Sequence, residues 1–343
     1  MNQENILPKI SIIIPVFNGS SAIKKCLNYI YASEFKEFEV ILVDDCSSDD
    51  TLGVASNYPC RILKNEINKG PAFSRNKGVD AAKGELILFV DADVLIPPDL
   101  MKKISFFFDG HKDISILQCR YEDSPHYKNL FSQYKHYIFS FRGLMDSNAY
   151  VNYVHTACVA MKKNIFQKVQ FNENLRRLED IDFGLRCAQN GYLIYVDSEL
   201  KVIHKKKYDL FSFSKYQFNS ARRIMIQNLM IKNKNISNKL DSKKQPLYKK
   251  LWYLRTILGF LFVLNLIWLV FQQGFIQWTF LLCIIIFSFL VEYRFRLYLF
   301  QVAPVSISFW SFFLYFYDGF LITLGSISGL FQSIYLKSLK KIS

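Results

Sequence analysis

Glu85–Val94 reads ELILFVDADV, an apolar run that ends in two aspartates. Continuous apolar runs of this kind are typical of parallel strands that are buried on both faces. Ligands of open α/β sheets bind outside the carboxyl ends of such strands. Asp91 and Asp93 therefore stand where a substrate of this kind of sheet would bind.

Similar runs on either side of this stretch predict the rest of a sheet. Ile10–Val16 (ISIIIPV) and Phe38–Val43 (FEVILV) are apolar, and Asp44 and Asp45 follow the second of them. The other strands predicted from pattern are Arg61–Lys64, Ala157–Met161 and Leu193–Val196, and the helices between them include Pro71–Ala82, a helix from Pro97 to Phe108, and Asp180–Asn190. Alternating strands and helices predict an α/β fold, with a mostly parallel sheet flanked by helices.

Charge is distributed unevenly along the chain, whose formal net charge is +14. Residues 1–200 carry 23 lysines and arginines against 25 aspartates and glutamates, whereas residues 201–343 carry 20 against 4. Basic residues beside long apolar runs favour an anionic membrane surface as the partner. Nucleic acid is excluded as the expected partner, because no helix-turn-helix, zinc-finger or RNA-binding signature is present.

The seven cysteines form no C-x-x-C pair. An odd number of scattered cysteines argues against a disulfide framework or a structural zinc site and favours a reducing cytosol. Met1–Lys9 has no apolar core, so a secretory signal is not expected there.

The C-terminal part contains three long apolar stretches. Thr256–Phe271 and Phe275–Val291 predict a helical hairpin with basic flanks, which places both ends in the cytosol. A buried helical pair in a soluble domain is the alternative. Val302–Leu336, with Asp318 near its middle, is compatible with a third span, a re-entrant hairpin or an interfacial helix. We therefore expect the cytoplasmic membrane as the location, with the catalytic domain facing the cytosol.

Three regions follow from these changes in composition. Residues 1–207 are predicted to be the catalytic domain, 208–250 a basic interfacial helix and linker, and 251–343 the membrane-anchoring helices. Phe211–Ile231 mixes aromatic and basic residues, which fits a helix in the membrane interface or an ordinary surface helix. Asn233–Lys250 is polar and basic, as expected of a linker.

The D-x-D pair is the strongest candidate for a metal site. Residues two apart in extended chain project to the same side, so Asp91 and Asp93 are expected to converge. Two close carboxylates repel each other unless one is protonated or a cation lies between them. Mg²⁺ and Mn²⁺ accept such carboxylates together with substrate phosphates. The alternative is a solvated loop without a function. The buried strand before the pair argues against that alternative.

Three further groups of residues can each be interpreted either as functional or as ordinary structural features. Asp44 and Asp45 can accept hydrogen bonds from a nucleoside, or the adjacent Ser47 and Asp49 region can simply cap a helix. Lys69 and Arg75 flank a helix start, where a diphosphate or only solvent would bind. Glu179–Asp182 either complements the dipole of the next helix or supplies a carboxylate base.

Four motifs in order resemble those of family 2 glycosyltransferases. They are SIIIPVFNGSSAIKKCL, ILVDDCSSDDT, NKGPAFSRNKGVDAAKGELILFVDADV and RRLEDIDFGLRCAQNGY, within residues 10–205. The resemblance implies an A-type nucleotide-sugar-binding fold, Rossmann-like in its sheet, and an inverting single displacement. No G-x-G-x-x-G or G-x-x-x-x-G-K-[ST] motif is present to favour a dinucleotide or P-loop site.

The resemblance also implies the roles of individual residues. The expected nucleotide-sugar-binding residues are Pro15, Phe17, Asp44, Asp45, Lys69, Arg75, Asp91 and Asp93. The expected metal ligands are Asp93, Asp91 and His204, with Asp93 the nearer of the two aspartates, and the expected base is Asp180. Lys205–Lys207 give the region of His204 an alternative role, as a loop that contacts lipid or phosphate. No Q-x-x-R-W follows Asp180, so a processive, cellulose-synthase-like role is not expected.

The expected function is transfer of a sugar from a nucleotide-diphosphate sugar, with a divalent metal, to a saccharide or lipid-linked acceptor in cell-surface glycan biosynthesis. Membrane lipids are the expected second partner. A polyprenyl-phosphate glycosyltransferase is the alternative enzyme. An inactive, membrane-bound nucleotide-sugar-binding scaffold is the alternative from another class.

Overall fold

The computed structural model describes residues 7–230, 247–272 and 274–342. Two compact units are present: one contains the residues up to Glu122 and Gly143–Lys206, the other Asp123–Arg142 and the residues from Lys207 onward. Asp123–Arg142 thus belongs to the second unit, although its sequence lies inside the predicted region 1–207. The three-region division of the chain stays a prediction.

The elements of the described residues follow one another in the order that the sequence predicts, with several additions. The strands are β1 (Ile10–Val16), β2 (Phe38–Asp44), β3 (Arg61–Lys64), β4 (Leu86–Val90), β5 (Val94–Leu95), β6 (Ile114–Tyr121), β7 (Ala149–Val151), β8 (Cys158–Lys162) and β9 (Leu193–His204). The helices are α1 (Ser20–Tyr31), α2 (Thr51–Ala55), α3 (Pro71–Ala81), α4 (Leu100–Gly110), α5 (Leu130–Met145), α6 (Glu179–Gln189), α7 (Leu210–Met230), α8 (Leu247–Phe271), α9 (Phe275–Val291), α10 (Tyr293–Val302) and α11 (Val305–Ile342).

The strands form one sheet in the first unit, with the order β3-β2-β1-β4-β8-β6-β9-β5 and with β7 paired to β9. Neighbouring strands from β3 to β4 are parallel, as are β6 and β9, whereas β8 runs antiparallel to both β4 and β6. The predicted α/β fold with a mostly parallel sheet is therefore confirmed.

Both faces of the central strands are buried, which explains their continuous apolar sequence. Ile12 and Ile14 of β1 contribute to the core on one face of the sheet, and Ile13 contributes to the core on the other. Leu88 and Phe89 of β4 divide between the two faces in the same way. Replacing any one of these isoleucines or leucines with alanine would cost about 2–5 kcal/mol of stability.

Several predicted boundaries were wrong. The strand predicted at Leu193–Val196 continues to His204, because Lys201 and Val202 pair with Arg120 and Tyr121 after an irregularity in the register. The aromatic and basic residues of Ser124–Met145 predict a helix over that whole stretch, but α5 begins only at Leu130. The linker predicted through Lys250 ends earlier, because α8 begins at Leu247, and residues 231–246 lie outside the described part of the chain.

The second unit is helical, and its helices approach closely at glycines. A Cβ atom added to Gly325 of α11 would lie 2.2 Å from the carbonyl oxygen of Phe218 in α7, and one on Gly329 would lie 2.5 Å from that of Arg222. A Cβ on Gly259 of α8 would lie 2.6 Å from the Cα atom of Gly319. Small residues at such crossings allow two helix backbones to pack together directly.

Asp318, in the middle of the third apolar stretch, is buried in this unit and has a polar partner. The Gln217 side-chain amide donates a hydrogen bond to its carboxylate, and the Lys135 ammonium donates to the Gln217 carbonyl oxygen at 2.8 Å. A buried charge needs such compensation, because desolvation of an unpaired ion is costly.

Length and composition single out few of the described helices as able to cross a membrane. Val305–Tyr335 within α11 is 31 residues long and apolar enough to cross a membrane. Phe275–Val291 and Tyr293–Val302 pass only as a pair, bent by 69°, and Thr256–Phe271 is a shorter apolar helix. The two helices of the predicted hairpin are present, but the apolar part of each, Thr256–Phe271 and Phe275–Val291, is shorter than a typical span of about 20 residues.

Candidate active site

The D-x-D residues occupy a turn between β4 and β5. The Val94 N–H donates to the Asp91 carbonyl oxygen at 2.9 Å, and the Asp91 N–H donates to the carbonyl oxygen of Ala157 at 3.0 Å. We predicted that extended chain would bring the two side chains to one side. The chain turns after Val90 instead, so the two carboxylates meet different partners.

Asp93 faces cationic and imidazole groups. His204 Nε2 lies 3.5 Å from Asp93 Oδ2, and Lys206 Nζ lies 3.9 Å from the same atom. Pairing of Val94 with His204 fixes this approach, and the ring of His204 stacks on Tyr121 with a centroid distance of 4.8 Å. Burial opposes ionisation of Asp93, but His204 and Lys206 outweigh it and lower the pKa of that carboxyl.

Asp91 is joined to the start of α6 through one buried arginine. Arg75, 4% exposed, places Nη2 3.1 Å from Asp91 Oδ1 and Nη1 2.9 Å from Glu179 Oε1. Burial and the nearby Asp93 charge raise the pKa of Asp91 against the opposing effect of Arg75. Burial and the Asp180 charge likewise raise the pKa of Glu179, again against Arg75.

Asp180, the predicted base, lies in the first turn of α6. Its Oδ1 accepts the N–H of Ile181 at 2.8 Å, and its Oδ2 lies 3.7 Å from Nδ1 of His155. Leu178 before it has φ +58°, a left-handed conformation that is uncommon for a leucine. Burial opposes ionisation of Asp180, but His155 and Arg75 outweigh it and lower the pKa of this carboxyl.

The acidic pair after β2 serves a different purpose from the D-x-D pair. Asp45 Oδ1 accepts the backbone N–H of Lys69 at 2.8 Å, and Oδ2 accepts that of Gly70 at 2.8 Å. The Asn65 side-chain amide donates to the same carboxylate at 2.9 Å. Asp44 is fully buried and accepts the N–H of Ser47. These two carboxylates therefore shape the loops beside the site.

The remaining predicted binding residues line the same strand ends. Pro15 is half-buried on β1 opposite Val43, and the Phe17 side chain after β1 is 52% exposed. Lys69 is exposed, with its Nζ atom 4.1 Å from the ring centroid of Phe73. The exposed ring of Phe17 can therefore contact a nucleobase, and the exposed ammonium group of Lys69 can contact a phosphate.

Three side chains at the site were not predicted. His155 faces Asp180 from the segment before β8, Lys206 faces Asp93, and Arg176 donates to Asn68 at 3.1 Å. Arg176 begins the fourth quoted motif, but His155 and Lys206 lie outside every motif, and each of the three is far along the chain from its partner. The run Lys205–Lys207 was the one available signal, and it did not reveal the pairing with Asp93.

The donor set around Asp93 fits a divalent cation. A carboxylate oxygen and an imidazole nitrogen 3.5 Å apart can both reach one ion with metal–ligand distances near 2.1 Å. Among the residues that the structure describes, no three histidine, cysteine or acidic side chains form a ready-made metal site. Further ligands would come from substrate and water, as is usual for Mg²⁺.

Known proteins resemble this chain in sequence and in fold. The family model for glycosyl transferase family 2 matches residues 11–170. An uncharacterized protein of Mycobacterium tuberculosis is 30% identical over 213 residues, which are 57% of this chain and 66% of that protein. The poly(ribitol-phosphate) beta-N-acetylglucosaminyltransferase TarS of Staphylococcus aureus is 35% identical over 120 residues, which are 33% of this chain and 21% of that protein.

The chain thus covers less than two thirds of the length of these curated relatives. A structure of the mannosyltransferase PcManGT from Pyrobaculum calidifontis, in complex with GDP-Man and Mn²⁺, shares the fold with a TM-score of 0.59 and 13% identity. That comparison covers 96% of this chain and 88% of PcManGT. The match over residues 11–170 assigns the chain to glycosyl transferase family 2.

Proposed function

We propose that this protein is an inverting glycosyltransferase that moves a sugar from a nucleotide-diphosphate sugar to an acceptor hydroxyl. One observation carries the proposal: Arg75 bridges Asp91, at the end of β4, to Glu179, beside Asp180. One buried cation thereby joins the D-x-D turn to the segment that holds the base. Family membership and the fold shared with PcManGT support this assignment.

The donor would bind at the carboxyl ends of β1, β2 and β4. Pro15 and Phe17 offer apolar surface to the nucleoside, and Asp44 and Asp45 fix the loops around it. Lys69 and Arg75 contribute positive charge near the diphosphate, where N–H donors of helix starts also favour anions. Asp45 acts through the loop, because its oxygens already accept backbone N–H groups.

Asp93 and His204, with Asp91, would hold a divalent cation such as Mn²⁺ or Mg²⁺. The cation would neutralise charge on the departing nucleotide diphosphate. PcManGT, which shares the fold, has been solved with GDP-Man and Mn²⁺, which supports a metal-dependent transfer.

Asp180 would remove the proton from the acceptor hydroxyl. Its lowered pKa keeps the carboxylate ionised at neutral pH, so it can accept that proton. The acceptor oxygen would attack the sugar carbon from the face opposite the leaving diphosphate, and the bond to the diphosphate would break as the new one forms. Such a base contributes roughly 10²–10⁴-fold to the rate.

The second unit supports membrane association and an acceptor that is lipid-linked or held at the membrane surface. Large apolar side chains of its helices are exposed, including Phe271, Phe275, Trp278, Trp310 and Phe331. Such an exposed apolar surface marks a membrane or protein partner. Flotation of the full chain with anionic vesicles would show binding, and a chain that stays at the bottom of the gradient would contradict this part of the proposal.

The donor test is calorimetric titration of detergent-solubilised protein with UDP, GDP and dTDP, first with Mn²⁺ and then with EDTA. Metal-dependent binding of one nucleotide supports the transferase. Folded protein that binds none of them under either condition would instead indicate an inactive scaffold. If Asp180→Asn kept full activity, the acceptor would be a polyprenyl phosphate, because an ionised phosphate needs no base to deprotonate it.

A further inference from the structure

His155 lies beside Asp180 although no motif includes it. The residue precedes β8, in the segment that runs next to the D-x-D turn, where the Asp91 N–H donates to the Ala157 carbonyl oxygen. Its Nδ1 lies 3.7 Å from Asp180 Oδ2. The segment before β8 therefore brings an imidazole to the oxygen of Asp180 that Ile181 does not bind.

A hydrogen bond to a buried side chain fixes the backbone of His155. The buried side chain of Gln118, on β6, accepts the His155 N–H at 2.7 Å. The ring of Tyr153 packs against the imidazole with a centroid distance of 5.0 Å. The imidazole is still about half exposed, with its side chain 51% accessible. A ring with a fixed backbone and one open side is suited to orient a neighbouring group.

The two oxygens of Asp180 therefore face different partners. Oδ1 accepts the N–H of Ile181, and Oδ2 faces the imidazole. Without the imidazole, rotation about the side-chain bonds of Asp180 would be restrained on one oxygen only. Precise orientation of a catalytic group matters, because a small misplacement of reacting atoms slows the chemical step.

On the basis of the proposed function, we propose that His155 is a positioning residue for the transfer reaction. Its Nδ1 holds Oδ2 of Asp180 so that the carboxylate presents a fixed oxygen to the acceptor hydroxyl. His155 does not take the proton in this scheme. An amide N–H placed where Nδ1 lies would therefore serve nearly as well.

The test compares His155→Ala with His155→Asn, whose amide group occupies nearly the place of Nδ1. Release of UDP or GDP from UDP-N-acetylglucosamine and GDP-mannose with Mn²⁺ serves as the turnover assay, and the full chain in detergent is used. The alanine variant is expected to lose about 10–100-fold in kcat with little change in donor KM. The asparagine variant is expected to stay within about threefold of the unaltered protein.

The pH profile adds a measure that a merely structural role would not change. Asp180 is faced by His155, by Arg75 from α3 and by Glu179 from its own helix. His155→Ala removes one group that lowers the pKa of Asp180, so that pKa rises. The acidic limb of kcat/KM then moves to higher pH. His111→Asn, an exposed histidine after α4, is the matched control and should leave both kcat and the limb unchanged.

Three outcomes would overturn the proposal. If His155→Asn were as impaired as His155→Ala, the ring itself would be taking the proton. If His155→Ala turned over normally, His155 would have no role in orienting Asp180. The third outcome concerns the NMR spectrum of histidine-labelled protein, in which the His155 ring resonance is assigned by its loss in His155→Asn. The proposal expects this resonance to shift in Asp180→Asn and to stay in place in Asp113→Asn, a change of an exposed aspartate. A resonance that does not shift in Asp180→Asn would overturn it. This measurement needs no turnover, so it tests the contact even if the unaltered protein releases no nucleotide, which would instead contradict the proposed function.

Discussion

Two acidic pairs follow two buried parallel strands of the same sheet, yet their carboxylates meet different partners. At the end of β2, Asp44 accepts an N–H group from its own loop, and Asp45 accepts two from the loop between β3 and α3. After β4, Asp91 and Asp93 face Arg75 and His204. The sequence pattern is the same in both places, an apolar strand and then two acids within three residues.

The difference lies in what surrounds each strand end. Gly70, in the loop between β3 and α3, has φ +91° and donates its N–H to Asp45. The oxygens of that carboxylate are therefore already hydrogen-bonded to this loop. At β4, the turn to β5 places Val94 against His204 on a distant part of the chain. A carboxylate whose oxygens accept backbone N–H groups stabilises the fold, whereas one that faces side chains, as Asp93 faces His204 and Lys206, remains available for chemistry.

The largest effect is expected from Asp180→Asn, which removes the carboxylate of the proposed base. Because an amide cannot accept the acceptor proton, kcat should fall roughly 10²–10⁴-fold while nucleotide binding persists. Initial rates and calorimetry on the same preparation would measure both. Asp182→Asn, at a position where the carboxylate pairs with Arg186 at 2.7 Å, is the matched control in the same helix. Equal losses in the two variants would mean that α6 as a whole, and not Asp180, had been disturbed.

Asp93→Asn should give the next largest effect. Loss of one charged ligand is expected to lower turnover on the order of 10²–10³-fold and to abolish the Mn²⁺ dependence of nucleotide binding. Thermal stability should stay close to that of the unaltered protein, because this carboxylate contacts side chains with exposed ends. A sharp drop in the melting temperature would place Asp93 with the fold-stabilising pair and remove the distinction drawn here.

Asp45→Asn should give the opposite profile. The new amide presents an N–H group toward the N–H groups of Lys69 and Gly70, and a buried donor without an acceptor costs about 1–3 kcal/mol. Denaturant unfolding should detect this loss of stability. The folded fraction should still bind nucleotide in a metal-dependent way. Unchanged stability together with lost nucleotide binding would show that Asp45 contacts the donor directly.

Gly70→Ala should produce the smallest change of the four, about 1 kcal/mol or somewhat more in unfolding free energy. A Cβ atom there would lie 2.8 Å from Nη1 of Arg176, in addition to the cost of a positive φ. Gly191→Ala is the control, since φ is +82° and nothing lies within 4 Å of the added atom. Equal destabilisation would show that Arg176 moves aside freely and that the loop is held by backbone conformation alone.

Strand and helix patterns predicted most of the first unit because each pattern reflects local burial. Ile10–Val16 and Arg61–Lys64 agree with the predicted bounds, as does Phe275–Val291 in the second unit. The course of β9 to His204 could not be read from its sequence, because residues 197–204 alternate little and gain their conformation by pairing with β6. The convergence of Asp91 and Asp93 was expected from extended geometry, and the turn after Val90 changed it.

Sequence alone determined which carboxylates stand at the ends of buried strands, since apolar runs and the acids that follow them are local features. It also determined the basic, apolar character of the C-terminal part. Tertiary structure alone decided which carboxylates remain available. Arg75 reaches Glu179, His204 reaches Asp93 and His155 reaches Asp180 across long stretches of chain. Such pairings depend on the order of strands in the sheet, and strand order is set by the packing of the whole domain.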